Sequence, residues 1–431
     1  MIVHETSVPS TERARWSRSA RVAFRFGFSV ALLSVSRLLQ FIREYLYSEK
    51  IRHTLDGWIG PVGNAEFRTA RYIGASALRL LVGATGTVEQ ITVRYSIALC
   101  YFIAVLTVAT VMTVVWSALD RHRGDYDTLN RWLRVYARYT LALVMMVFAT
   151  AKVVPTQFGF LTPGELLKPL GQLDRFWVLW DFMVVSTGYT IFAGLVEIAG
   201  CALLFFRRTT VLGALLLAMT LTNVIAMDIG YAVYGAATTA GLLLVLALIV
   251  IAPSADPLAT IFLAGRAASL PPEPETIFSR WRYAPWIKAL VLVVLVSIQV
   301  SASLVQRRTY FGVGHGVYGM FEVDRFVFRG AAVTPLASDA NTWKRVASDG
   351  RYDSSSLTVL YADGNVKQYS LAEDTANRRW KLKDAGKDVA TLRYQVAPDG
   401  TVTLEGQIAS EPVQMSLRPV DLNSFPLLRG R

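Results

Sequence analysis

The stretch Thr187–Phe206 reads TGYTIFAGLVEIAGCALLFF, and Arg207-Arg208-Thr209 follow at once. About 20 apolar residues are what a helix needs to cross a bilayer. In hydrocarbon the backbone must satisfy its own polar groups, so such a run has no alternative to a helix. One full charge, Glu197, sits near the middle. A carboxylate at that depth costs a few kcal/mol unless it meets a partner, a cavity or a proton. The stretch therefore points to a membrane-embedded chain and makes Glu197 the first candidate for proton exchange.

Other apolar runs extend the pattern. Tyr95–Ser117, Leu133–Val154 (ending at Pro155), Thr210–Ile229, Tyr231–Ala252 and Trp286–Val305 each read as spans. Val22–Ile42 carries Arg25 and Arg37. It reads either as a first span or as an interfacial amphipathic helix. Counting it gives about seven spans. Residues 44–94 read as a polar stretch around Trp58 and Gly60-Pro61, with an apolar patch, Leu78–Val82, too short to cross. Only 18% of the residues are charged, against roughly 25% in soluble domains. Segments solvated by lipid account for the deficit.

The net charge is +12, of which only +3 falls in the last 125 residues, with 17 Lys/Arg against 14 Asp/Glu. The remaining excess lies between apolar runs, where lipid head groups and topology control explain it better than nucleic acid. Nucleic acid is therefore not expected as a partner, whereas membrane lipid is. Arg121, Arg123, Arg131 and Arg134, then Arg207 and Arg208, then Arg266, Arg280 and Arg282 mark one side as cytoplasmic by the positive-inside rule. With seven spans the basic N-terminus shares that side, and the polar C-terminal part lies outside. Arg307 and Arg308, and the basic stretch 44–94, vote the other way. No small-residue cleavage site follows a short apolar core near the start, so no cleavable leader is expected.

From Arg307 onward the period changes to alternation. Val317–Val323, Leu357–Tyr361, Val366–Leu371, Arg378–Leu382, Ala390–Val396, Thr401–Ile408 and Val413–Pro419 read as strands. Ala362-Asp363-Gly364-Asn365 and Pro398-Asp399-Gly400 are hairpin turns between them. The expected fold is a polytopic α-helical membrane protein with a C-terminal antiparallel all-β extramembrane domain. The β part reads as a small barrel or sandwich, either a docking scaffold or a sheath for a lipid-like ligand. The expected organisation is a basic N-terminus, first span and polar loop over 1–94, a helical bundle over 95–306, and the β-rich domain over 307–431.

Candidate site residues gather around the central span. The helical neighbours of Glu197 are Ala193, Gly194, Gly200 and Cys201, small residues that let another helix approach closely. Lys152, Gln157, Asn223 and Asp228 are placed so that they line a polar pocket with Glu197 on the external side. Each has a plainer role: Lys152 snorkels, Asp228 sits at the interface, and Glu197 locks the bundle. Lys168, Asp174, Arg175 and Asp181, with Trp177, Trp180 and Phe182, precede the central span as an interfacial belt or as a lid. Cys100 and Cys201 lie in apolar runs without a CxxC, which excludes thioredoxin-type chemistry by this chain alone. None of His4, His53, His122 and His315 lies in a span, so a bis-histidine haem is not expected. No metal site or nucleotide motif is present.

Lys152, Thr156-Gln157-Phe158, Tyr189–Glu197, Arg207–Leu215 and Thr222-Asn223-Val224 together resemble the DoxX-like bacterial inner-membrane proteins, in particular a longer subgroup with a β-rich C-terminal extension. The resemblance covers about residues 133–253. It implies a four-helix membrane core in a bacterial inner (plasma) membrane and a redox-associated, quinone-linked role with a partner protein that supplies electrons. The chain departs from the subgroup at Asp228–Tyr234, where a proline and lysine are missing. Two other classes stay open: a transporter or lipid-handling protein, and a structural or assembly protein without catalysis.

Overall fold

The computed structural model describes residues 16–44, 49–159, 161–271, 282–310, 316–333, 340–349 and 355–428. Residues 1–15 of the basic N-terminus and Arg280 lie outside these. Eleven α-helices occur among the described residues: α1 (Arg18–Glu44), α2 (Glu49–Val82), α3 (Val88–Tyr95), α4 (Ile97–Leu119), α5 (Asp127–Val153), α6 (Arg175–Val185), α7 (Thr187–Phe205), α8 (Thr210–Gly230), α9 (Tyr234–Ile251), α10 (Ala255–Phe262) and α11 (Ala284–Tyr310).

Among the described residues, six helical segments are long and apolar enough to cross a membrane: α4, α5, α7, α8, the continuous run Tyr234–Phe262, and Ala284–Arg308 of α11. Each coincides with a run read from the sequence. Val22–Ile42 is helical within α1 but is not among the six. The largest departure is in the stretch read as a polar loop, whose residues Glu49–Val82 and Val88–Tyr95 are helical as α2 and α3. Packing against α4 overrides the Gly-Pro signal. Ala75, Leu78, Ala84, Ile91 and Cys100 form one buried cluster, and Gly74 abuts the Cys100 backbone so closely that no side chain fits. Thr87 starts α3 with a capping box to Gln90.

The chain divides into two compact units, one of residues 1–147 and 197–294 and the other of 148–196 and 295–431. In the first, Val30, Ala70, Tyr101, Ala104, Val105, Ala109 and Leu242 bring α1, α2, α4 and α9 into one apolar core. Helices α7 and α8 meet at a glycine seam. A Cβ on Gly213 would lie 2.8 Å from the Gly200 carbonyl oxygen, and one on Gly200 would lie 2.6 Å from Leu217.

The second unit is dominated by an antiparallel barrel: β1 (Gly319–Phe328), the two-residue β2 (Ala331–Ala332), β3 (Trp343–Ser348), β4 (Ser356–Tyr361), β5 (Val366–Asp374), β6 (Arg379–Asp384), β7 (Lys387–Val396), β8 (Val402–Ile408) and β9 (Glu411–Val420). Strand β1 pairs with both β2 and β3, β3 to β9 pair in order, and β1 also pairs with β9 to close eight strands. Gly364 and Gly400 turn the two predicted hairpins at φ +86° and +82°, conformations that glycine adopts without strain. Asp363 and Asp399 accept from backbone amides two residues on. The interior is filled: Val346, Leu357, Val359, Trp380, Leu392, Leu404 and Leu417 are fully buried. Eight strands leave an interior just wide enough for such side chains. Strand β3 went unseen in the sequence because Lys344-Arg345 interrupts its apolar pattern.

Candidate functional site

Helix α7 carries its small residues on the face of Glu197, as the spacing requires. Glu197 is 1% exposed and Cys201 fully buried. Three residues before Glu197, a Cβ on Gly194 would lie 2.7 Å from the Ala149 carbonyl oxygen and 2.9 Å from the Lys152 Cβ. Three residues after it, Gly200 abuts Leu217. This face has no room for added methyl groups at Gly194 or Gly200.

Lys152 is in the last turn of α5 and 7% exposed, with its Nζ 5.9 Å from the centre of the Phe148 ring. The amides of Thr156 and Gln157 both donate to the Ala151 carbonyl, at 2.9 and 3.1 Å, and close the helix end after Pro155. Gln157 is half-buried there. Lys152 and Gln157 belong to the barrel-containing unit, while Glu197, Asn223 and Asp228 belong to the other. Asp228 is buried near the end of α8, at 6% exposure. Asn223 is exposed, its Nδ2 3.7 Å from the Met227 sulfur. Five residues of α-helix rotate by about 140°, so Asn223 and Asp228 do not share a face.

The segment between α5 and α7 is ordered on the barrel. Leu167 packs with Met320 and Ala347. The Gly164 amide donates to Asp349 Oδ1 at 3.3 Å, and Lys168 Nζ donates to Gln368 Oε1 at 3.1 Å. Gln368 Nε2 donates to Ser356 Oγ at 2.9 Å, and Ser356 in turn donates to Asp349. Asp181 on α6 lies near Glu165 and Lys168. Burial first, and the Glu165 carboxylate second, push its carboxyl up to about 6, while Lys168 opposes the shift. Trp180 stacks on Phe176 at 4.1 Å and meets Phe158 edge-on at 5.3 Å. These aromatics are part of a folded element.

A second polar centre holds Arg25, which is 4% exposed. Its Nε and Nη2 donate to Tyr126 Oη at 3.0 and 2.8 Å, Nη1 to Ser117 Oγ at 2.8 Å, and Nη2 also to the Asp120 carbonyl at 2.9 Å. Tyr126 Oη donates to Asp120 Oδ2 at 2.7 Å. That bond holds the Asp120 carboxyl below its ordinary range, and burial raises the Tyr126 phenol. In the sequence Arg25 only weakened a candidate span. No local pattern names partners that are about a hundred residues away.

No family model matches the chain, and no solved structure matches it. Over 91 residues it is 35% identical to the uncharacterized protein YwoB of Bacillus subtilis strain 168, covering 21% of this chain and 57% of that relative. The match thus spans less than two thirds of the relative's length.

Proposed function

We propose that this chain is a multi-pass bacterial inner-membrane subunit with a redox-associated role, in which Glu197 exchanges protons and a partner protein supplies electrons. The observation that carries it is Glu197 itself, a carboxylate 1% exposed in the middle of an apolar span. Ionisable groups at that depth are retained for function more often than for stability. The resemblance of residues 133–253 supports the redox assignment. The quinone-linked part of the reading rests on the same resemblance. The N-terminus is assigned to the cytoplasm and the barrel to the periplasm, following the loop arginines.

The assembly reading is favoured by a different observation: the filled barrel is fastened to the 162–168 segment by Leu167, Gly164 and Lys168. One experiment separates the two. The protein is purified in mild detergent, native and Glu197→Gln, and mass spectrometry identifies what stays bound while thermal unfolding is followed. The redox reading expects a redox protein retained by both forms, a nearly unchanged midpoint, and proton-coupled electron transfer lost in the variant. A native protein without any redox partner, and a variant that only unfolds earlier, would establish the assembly reading instead.

A further inference from the structure

Along one side of α1 and α4 runs an almost wholly apolar groove of about 460 Å³. Val22, Ala23 and Phe26 supply one wall, and Thr110, Thr113 and Val114 the other. Counted from Ser19, the first set follows the i, i+3, i+4, i+7 spacing of one helical face, and the second follows i, i+3, i+4. The two threonines present no free polarity, because Thr110 Oγ1 donates to the Leu106 carbonyl and Thr113 Oγ1 to that of Ala109, each within α4. The groove lies on a helix apolar enough to span. From Thr110 to Asp120 is about 15 Å at 1.5 Å per residue, so the groove begins at acyl-chain depth and opens toward the head-group region.

The opening is basic. Ser19 marks it, and the first turn of α1 around it has no acidic residue. Arg18 is exposed, Arg21 Nη1 donates to the Arg123 carbonyl at 2.9 Å, and Arg121 and Arg123 are exposed beside it. The aspartates nearby are partly engaged: Asp120 accepts from Tyr126, and Asp127 accepts from Trp16 Nε1 at 2.9 Å. Asp125 is half-buried, and its Oδ1 faces the Asp127 amide at 3.4 Å. The positive end of the α1 dipole adds to the same field.

We propose that this groove binds an anionic phospholipid, with an acyl chain between α1 and α4 and the phosphate at Arg18 and Arg21. The apolar wall selects a chain, and the arginines select the charge of its head group. The proposal rests on α1 and α4 alone and is independent of the redox reading.

The test uses the full chain in dodecyl maltoside, mixed with equal amounts of phosphatidylglycerol and phosphatidylcholine and read by native mass spectrometry. Two arginines near an anionic head group give a preference on the order of tenfold for phosphatidylglycerol. The double variant Arg18→Gln, Arg21→Gln brings the two lipids to within about twofold of each other. Ala23→Phe fills the exposed groove and lowers the occupancy of both. Equal retention of the two lipids by the native protein, or an unchanged preference in the double variant, overturns the charge assignment. Undiminished occupancy in a folded Ala23→Phe protein overturns the groove.

Discussion

Gly213→Ala is the sharpest test of the packing described for α7 and α8. The added methyl would sit 2.8 Å from the Gly200 oxygen, 2.9 Å from Leu203 Cβ and 2.9 Å from the Leu204 nitrogen. Two of these atoms are backbone and the third is fixed to it, so no rotamer change relieves the clash. The helices must separate by roughly half an ångström or more to restore ordinary contact near 3.5 Å. Overpacking of this kind costs about 1–3 kcal/mol, and the better helix propensity of alanine returns at most about 1 kcal/mol. The net expectation is a loss of about 1–2 kcal/mol. Gly235→Ala on α9 is the control, since nothing lies within 4 Å of its added methyl. It should be neutral or slightly stabilising, because only the propensity changes. Unfolding by sodium dodecyl sulfate titration in mixed micelles, followed by circular dichroism, compares both with the native protein. If Gly213→Ala matches Gly235→Ala, the seam does not exist as described.

Two further predictions concern the polar centres. Arg25→Met removes every donor to Tyr126, Ser117 and the Asp120 carbonyl, and loss of such charged hydrogen bonds at a buried site costs about 2–4 kcal/mol; the same titration, with limited trypsin cleavage at Arg121 and Arg123, should show α1 released from the α4–α5 turn. Asp181 has a folded value near 6 against an ordinary 3.8, so the native state binds its proton more tightly than the unfolded chain does, and stability falls as pH rises through that window and is flat above it. Two pH units correspond to about 3 kcal/mol, which solvent screening at a half-exposed carboxyl reduces to about 1 kcal/mol. Asp181→Asn should abolish that slope between about pH 4 and 6, and a slope equal to the native one would show that another group produces it.

The spans were legible in the sequence because hydrocarbon leaves a chain so few choices: twenty apolar residues specify a helix wherever tertiary packing puts it. The hairpins were legible because Asp-Gly at 363–364 and 399–400 is a local device. What packing decides was not legible. Helix α2 runs through Gly60-Pro61 because its Ala70, Gly74 and Leu78 face is held by α4, a contact that no window over 44–94 contains. Strand β3 pairs with β1 and β4 although Lys344 and Arg345 obscure its alternation. Glu197 stood out as a charge in an apolar run. Asp181 was a candidate in the sequence, but its raised carboxyl arose only when folding buried it and set Glu165 near it. Arg25 looked like a defect in a span until Tyr126, Asp120 and Ser117 were brought to it.

The barrel also bears on topology without any appeal to loop charge. It touches the 162–168 segment through Leu167, Gly164 and Lys168, and both belong to one compact unit. Between them the chain passes through α7, α8, Tyr234–Phe262 and α11. Four crossings return a chain to the side it left, whereas three or five would separate segments that are in contact. Helix α1 is not among the six segments apolar enough to cross. Its Phe24 and Phe28 rings meet Trp116, and Arg25 reaches Ser117, both at the end of α4, while Val30 packs in the cluster that contains Ala104 and Val105. Helix α1 thus runs antiparallel to α4. At 27 residues it is about 40 Å long, and its Arg25 is held by partners on α4 and on the turn that follows it.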